Sequence, residues 1–299
     1  MKPRHFLLAL LVAAIWGINF TVIRVGLGSF PPLLLAALRF AIAALPVLFL
    51  PRPNITWPLF LWIGVMLFFG QFALLFTGMA VGLPAGLASV VLQSQAFLTI
   101  LIASAFLRER PTRQQVAGTL VAFAGLVAIS ATANGGDFTI AGLGLCLAAA
   151  LCWAIGNVLL RRAGKVDMLA LVVWLSLIPP IPLLLLSLLL DGPQTVGHAL
   201  LSINWSGAGA VLYIAVLSTI LGFAIWGQLL KRYTAATVAP FSLLVPIFGA
   251  ASAALFLGES FGPARMAGMG LVLIGLVIVV FPGRRFASVG QKAGSVVDA

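Results

Sequence analysis

Few side chains in this sequence could do chemistry, and most of them sit inside apolar runs. Arg39 lies near the middle of the run 31–50. A charge at that depth must face a protein interior or a water-filled cavity. There it could hold a solute carboxylate, or be tied to helix carbonyls and polar side chains as an anchor. Asn19, Gln71, Gln93, Gln95 and Asn157 also fall within apolar runs, with Gln228 near the end of another. Buried amides need partners. Each could give and take hydrogen bonds with a zwitterion, or bridge two helices. Gln93 and Gln95 are two residues apart and so point to different sides of a helix, which leaves one of them for a cavity. Trp16, Trp153, Trp174 and Trp226 could gate a passage, lie against an ammonium group or simply pack. Glu109 and Glu259 close two runs. They suit helix-end ion pairs, with Arg110 and Arg265 nearby, or a coupling-proton site.

Other chemistries lack their residues. His5 and His198 lie outside the apolar runs, and the six acids are scattered. No acid, base or metal cluster gathers on one face, which argues against a membrane-embedded lipid enzyme. We therefore expect no catalytic residues, no metal and no cofactor. Cys146 and Cys152 are six apart in one run, a spacing that neither a disulfide nor a metal pair favours on a helix. No Gly-x-x-x-x-Gly-Lys-[Ser/Thr] phosphate loop is present.

The elements that must position these groups follow from composition. The chain has 299 residues, 62% hydrophobic and 8% charged. Soluble domains carry roughly 25% charged residues, so this surface must face lipid. Apolar runs long enough to cross a bilayer cover 6–26, 31–50, 58–80, 85–107, 114–132, 140–160, 168–190, 207–228, 236–257 and 263–281. Turn chemistry separates several of them: Ser29-Phe30-Pro31-Pro32, Pro51-Arg52-Pro53-Asn54 and Asp191-Gly192-Pro193. Pro58 and Pro263 suit first helical turns. Pro179-Pro180-Ile181-Pro182 should distort the seventh run; Pro46, Pro240 and Pro246 are further candidate kinks.

The formal net charge of +11 would suggest nucleic acid in a soluble protein. Here the basic residues cluster between runs, and topology explains them. With the N-terminus cytoplasmic, all Lys and Arg except Arg24, Arg39 and Arg265 fall on the cytoplasmic side, and the alternation holds through ten spans. Both termini are then cytoplasmic.

The halves resemble each other. Glu109, Gly118 and Gly125 recur as Glu259, Gly268 and Gly275 at a constant offset of 150. Ala13-Ala14-Ile15-Trp16 resembles Ala150-Leu151-Cys152-Trp153. Five spans per copy is an odd number, so the copies would be inverted, a common plan for secondary transporters. The expected organisation is a first five-helix repeat over 1–135, a second over 136–283 and a polar cytoplasmic tail over 284–299.

These stretches resemble the EamA-type family of the drug/metabolite transporter superfamily. The resemblance rests on Ala14-Ile15-Trp16-Gly17-Ile18-Asn19-Phe20, Pro31-Pro32 through Arg39-Phe40, Gly82-Leu83-Pro84-Ala85-Gly86, Leu92-Gln93-Ser94-Gln95-Ala96-Phe97 and Ala239-Pro240-Phe241-Ser242. Within the superfamily it runs closest to bacterial exporters of O-acetylserine and cysteine. It implies an all-α integral membrane protein of ten transmembrane helices as two inverted five-helix repeats, in the bacterial inner membrane. It also implies export of amino acids and related metabolites; other neutral or aromatic amino acids and drug-like compounds are the alternatives. The expected partners are a small-molecule substrate and the lipid bilayer, with a proton as candidate coupling ion and no nucleic acid. Oligomeric state is left open.

Overall fold

A computed structural model describes residues 1–106, 111–132, 138–164 and 166–280. Its regular structure is helical throughout. Among the described residues, ten helices are long and apolar enough to cross a membrane: Pro3–Gly26, Pro32–Phe49, Trp57–Ala80, Ala85–Phe106, Arg113–Ala131, Ile140–Arg162, Met168–Leu190, Trp205–Arg232, Pro240–Leu257 and Pro263–Val280. They are spans one to ten below. The expected count of spans and their approximate limits hold. The polar tail, 284–299, lies outside the described residues.

Local sequence explains the ends. Pro occupies the first turn of spans one, two and three, where its missing N–H costs no helical bond. Thr112 and Gln115 form a reciprocal capping box at the start of span five. Asp167 and Asn204 cap spans seven and eight through their side-chain oxygens. Pro179-Pro180 interrupts span seven between the helices Met168–Leu175 and Pro180–Leu190, as expected.

Three local features depart from the sequence reading. Span three is wound as a π-helix over Val65–Gly70, and span eight over Tyr213–Leu221. A further short helix, Pro193–Leu201, fills what the sequence presents as a bare loop between spans seven and eight. His5, expected outside the membrane, is buried in the first turn of span one, where Nδ1 lies 2.7 Å from the Tyr233 hydroxyl. Pro3 starts the helix earlier than the apolar run does.

The largest span-to-span contacts recur when each span is exchanged for the one five places along. Span one packs on spans eight and nine; span six packs on spans three and four. Spans two and seven, four and nine, and five and ten pair with each other. The pair five–ten shows the exchange residue by residue. A side chain on Gly118 would strike the Gly275 carbonyl, and one on Gly125 the Gly268 carbonyl. At the offset of 150 these two contacts are the same contact. The helix breaks recur too: the π segments lie in spans three and eight, and 3-10 turns lie at Leu92–Ser94 and Ala239–Leu244.

Candidate transport cavity

The broken helices surround a cavity of about 300 Å³. Its inner end is lined by Phe20, Leu75 and Ser89; its outer lining runs to Leu160, Met168 and Trp226. The latter three lie near the membrane face that carries the N-terminus of span one. The cavity thus reaches from mid-membrane toward that face.

Arg39 projects from span two into this cavity and is 3% exposed. Its Nε donates to Thr219 Oγ1 at 3.0 Å. Thr219 in turn donates to the Ile214 carbonyl five residues back, at 2.7 Å. That i−5 reach belongs to the π winding of span eight, so the same local distortion that bends the helix sets the hydroxyl against Arg39. The guanidinium carbon stands 4.3 Å from the Phe72 ring centre and 5.4 Å from that of Phe40. Nη1 is buried with no hydrogen-bond partner. A buried unpaired donor on a cation is costly. Arg39 is therefore anchored on one edge and unsatisfied on another, which combines the two roles the sequence left open.

The amides meet around it. Asn19, Gln71, Gln93, Gln95 and Asn157 all line the cavity. Asn157 donates to Gln95 Oε1 at 2.8 Å and to Thr99 Oγ1 at 3.3 Å. Gln93 Nε2 donates to the Ser242 carbonyl at 3.3 Å. The expectation that only one of Gln93 and Gln95 reaches the cavity fails. The 3-10 turn Leu92–Ser94 winds by about 120° per residue instead of 100°, which brings positions two apart nearer to one face. Asn19 is 7% exposed, and its Oδ1 has no partner.

Three of the four tryptophans named above as candidates belong here. Trp16 donates to the Ser218 carbonyl at 2.9 Å and packs on Phe223 and Trp226, each with ring centres 5.2 Å apart. Trp153 lines the opposite wall from span six. Trp174 does not line the cavity; its indole donates to the Leu50 carbonyl at 3.0 Å and braces span seven on the end of span two.

At the face away from the N-terminus, hydrogen bonds to backbone tie the spans together. Gly258, at φ 68°, ends span nine in a left-handed turn that swings Glu259 back toward span four. The Glu259 carboxylate accepts from the Ala85 amide at 2.7 Å and the Gly86 amide at 2.9 Å. An anion at a helix start satisfies orphan N–H groups and the helix dipole together. Arg265, the partner expected from the sequence, lies instead by Thr132 and the Phe138 ring. Glu109, its counterpart in the first half, lies outside the described residues. Nearby, Thr139 donates to the Val81 carbonyl at 2.7 Å, and Arg24 to the Met79 carbonyl at 3.3 Å.

At the N-terminal face, the Asp167 carboxylate pairs with Lys231, and both are exposed. The Lys231 ammonium and the Ala170 amide hold its carboxyl below the usual carboxylate range. No group of three or more His, Cys, Asp and Glu able to hold a metal occurs among the described residues.

Ten membrane spans around a polar-centred cavity that reaches toward one face make the architecture of a membrane transporter. The EamA-like transporter family model matches residues 4–131 and again 140–281, and the chain belongs to that family. It is 46% identical to a probable amino-acid metabolite efflux pump of Salmonella typhimurium, over 94% of this chain and 96% of that one. The Escherichia coli protein of the same description is 44% identical over the same shares. A probable terminal-alkyne amino-acid exporter of Streptantibioticus cattleyicolor is 28% identical, over 93% and 94%. A solved crystal structure, 20% identical, matches with a TM-score of 0.64 over 93% of this chain and 96% of that one. At that identity the likeness concerns the fold alone.

Proposed function

We propose that the protein is a secondary transporter that exports small amino-acid metabolites, such as cysteine and O-acetylserine, across the bacterial inner membrane by alternating access. The observation that carries this reading is Arg39: buried, lining a cavity that runs to one face only, and left with an unsatisfied donor. With both termini cytoplasmic, the cavity faces inward and the Glu259 stitch closes the outer side. A metabolite enters from the cytoplasm, its carboxylate replaces lost hydration at Arg39, and the helices rearrange to open outward. The two halves, 1–135 and 136–283, act as inverted repeats that exchange conformations. The recurring helix breaks and the glycine contacts of spans five and ten support that reading, as does the family match to each half.

Phe20, Phe40, Phe68 and Phe72 line much of the cavity wall. They favour a second reading of the same site, with larger neutral or aromatic amino acids as cargo. Drug-like cations fit poorly, because the cavity's charge is positive. Everted vesicles or proteoliposomes carrying the full chain test the proposal. Labelled cysteine, O-acetylserine and phenylalanine should cross faster than into protein-free vesicles, with and without a proton gradient. Rates equal to the protein-free control for every amino acid would end the proposal.

A further inference from the structure

The cavity's hydrogen-bonding groups are unevenly committed. Among the described residues, Arg39 is the one ionisable side chain in the lining; no carboxylate faces the cavity to meet an ammonium group. Some of the neutral acceptors are engaged. Gln95 Oε1 takes the Asn157 amide, the Ser218 carbonyl takes the Trp16 indole, and the Ser242 carbonyl takes Gln93. Asn19 Oδ1 is buried and without a partner, and Gln71, Gln93 and Asn157 bring further amide oxygens to the lining; all are neutral acceptors. On the donor side, a guanidinium with a free Nη1 waits in a buried setting.

An amino acid brings two charged groups, and this site can repay the desolvation of only one in kind. A carboxylate on Arg39 gains a charge-assisted bond and removes an uncompensated charge. An ammonium gains at most a neutral carbonyl or the face of an indole, which is worth far less. A zwitterion also leaves the cavity as positive as it was, whereas a monoanion neutralises it.

We infer that the cavity selects for a carboxylate rather than for an α-ammonium group, so that its ligands include 2-hydroxy and 2-oxo monocarboxylic acids alongside amino acids. This rests on the transport reading above and widens it. Asn19 can present its oxygen to an ammonium or, turned over, its amide hydrogens to a hydroxyl or keto oxygen. The group at the second carbon is then read weakly. The side chain meets the phenylalanine wall and should be uncharged. Basic side chains add charge of the cavity's own sign and are rejected.

The test uses the full-length protein in proteoliposomes and matched compounds. Uptake of labelled L-cysteine and L-leucine is measured against excess unlabelled amino acid, its 2-hydroxy analogue, and its carboxamide, which keeps the ammonium and loses the carboxylate. The hydroxy acid should compete within about threefold of the parent amino acid, and the carboxamide at least about tenfold more weakly. Labelled 2-hydroxy-4-methylpentanoate should itself cross. Arg39→Lys should keep this order, and Arg39→Gln should flatten it. If the carboxamide competes as well as the amino acid, or the hydroxy acid does not compete, the inference is overturned while amino-acid transport stands. If neither labelled amino acid crosses, both readings fall. The wild-type panel decides the matter even where an Arg39 variant does not fold.

Discussion

On the side away from the N-terminus, spans one, four and nine touch backbone to backbone, whereas at the N-terminal face spans seven and eight carry, beside the packing of Gly227 on Met168, the exposed ion pair of Asp167 and Lys231. A side chain on Gly17 would lie 2.7 Å from the Val245 carbonyl, and one on Gly86 would lie 3.2 Å from Ala250 Cα. Thr21 and Ser252 share a 2.7 Å hydrogen bond in the same seam. Glycine contacts of this kind are all-or-nothing: two helices either lie flush or they part. An exposed ion pair, by contrast, contributes about 0–1 kcal/mol. The closed end is therefore held by shape and a charged cap. At the N-terminal end, His5 with Tyr233 and Phe6 with Phe241 tie span one to spans eight and nine, but between spans seven and eight the exposed ion pair adds little.

The sharpest way to break this contrast is to wedge the closed seam. Gly17→Leu places a bulky group against backbone that cannot yield. Overpacking costs about 1–3 kcal/mol, enough to shift a two-state balance by about fivefold or more. Efflux should fall by at least about that factor. Cysteine introduced at Leu75, in a background carrying Cys146→Ala and Cys152→Ala, should become open to an impermeant thiol reagent from outside. Gly144 meets nothing within 4 Å and is exposed, so Gly144→Leu is the matched control and should change neither reading. Equal labelling of Leu75→Cys with and without the wedge would show that the seam is not the outer barrier.

A smaller effect is expected from the cap. Glu259→Gln keeps one accepting oxygen but turns an N–H₂ toward a backbone N–H, so one bond is lost and two donors face each other. Hydrogen bonds to charged groups contribute about 1.5–3 kcal/mol. Glu259 is half-buried, and screening discounts this to about 1 kcal/mol. Outside labelling at Leu75→Cys should rise a few-fold, less than with the glycine wedge. A drop in labelling would mean that Glu259 holds the outer side open.

The spans and Arg39 were legible in the sequence, while the contrast between the two ends was not, and the reasons differ by feature. Span number follows from bilayer thickness acting on run length, so apolar runs between Pro, Gly and Arg punctuation sufficed. Arg39 followed from the cost of a charge at mid-membrane. The π segments were hidden because Val65–Gly70 and Tyr213–Leu221 hold ordinary apolar helix residues, and the winding answers to packing across the cavity. Only Thr219, bonding five residues back, betrays it. The Glu259 cap was misread as an ion pair because its two amides lie in span four, 174 and 173 residues away in sequence. Helix Pro193–Leu201 did carry a signal: Gly192-Pro193 is a helix start, and Val196 and Ala199, buried on one face three apart, repeat its period.

The smallest expected effect tests the weak end. Asp167 both caps span seven, accepting from Ala170 at 2.9 Å, and pairs with Lys231. Asn caps a helix about as well as Asp, so Asp167→Asn removes the charge pair and leaves the cap. Its carboxyl is held below its ordinary range, chiefly by the hydrogen bond from Lys231. Such a group stabilises the folded state in full above the ordinary carboxylate range, and the contribution disappears as the pH falls through the lower folded value. At neutral pH the substitution should therefore cost well under about 1 kcal/mol. Melting in detergent should show a slight loss that fades in strong acid, and vesicle efflux should be unchanged. If efflux fell as far as it does with Gly17→Leu, the N-terminal face would be a gate in its own right, and the asymmetry between the two ends would be gone.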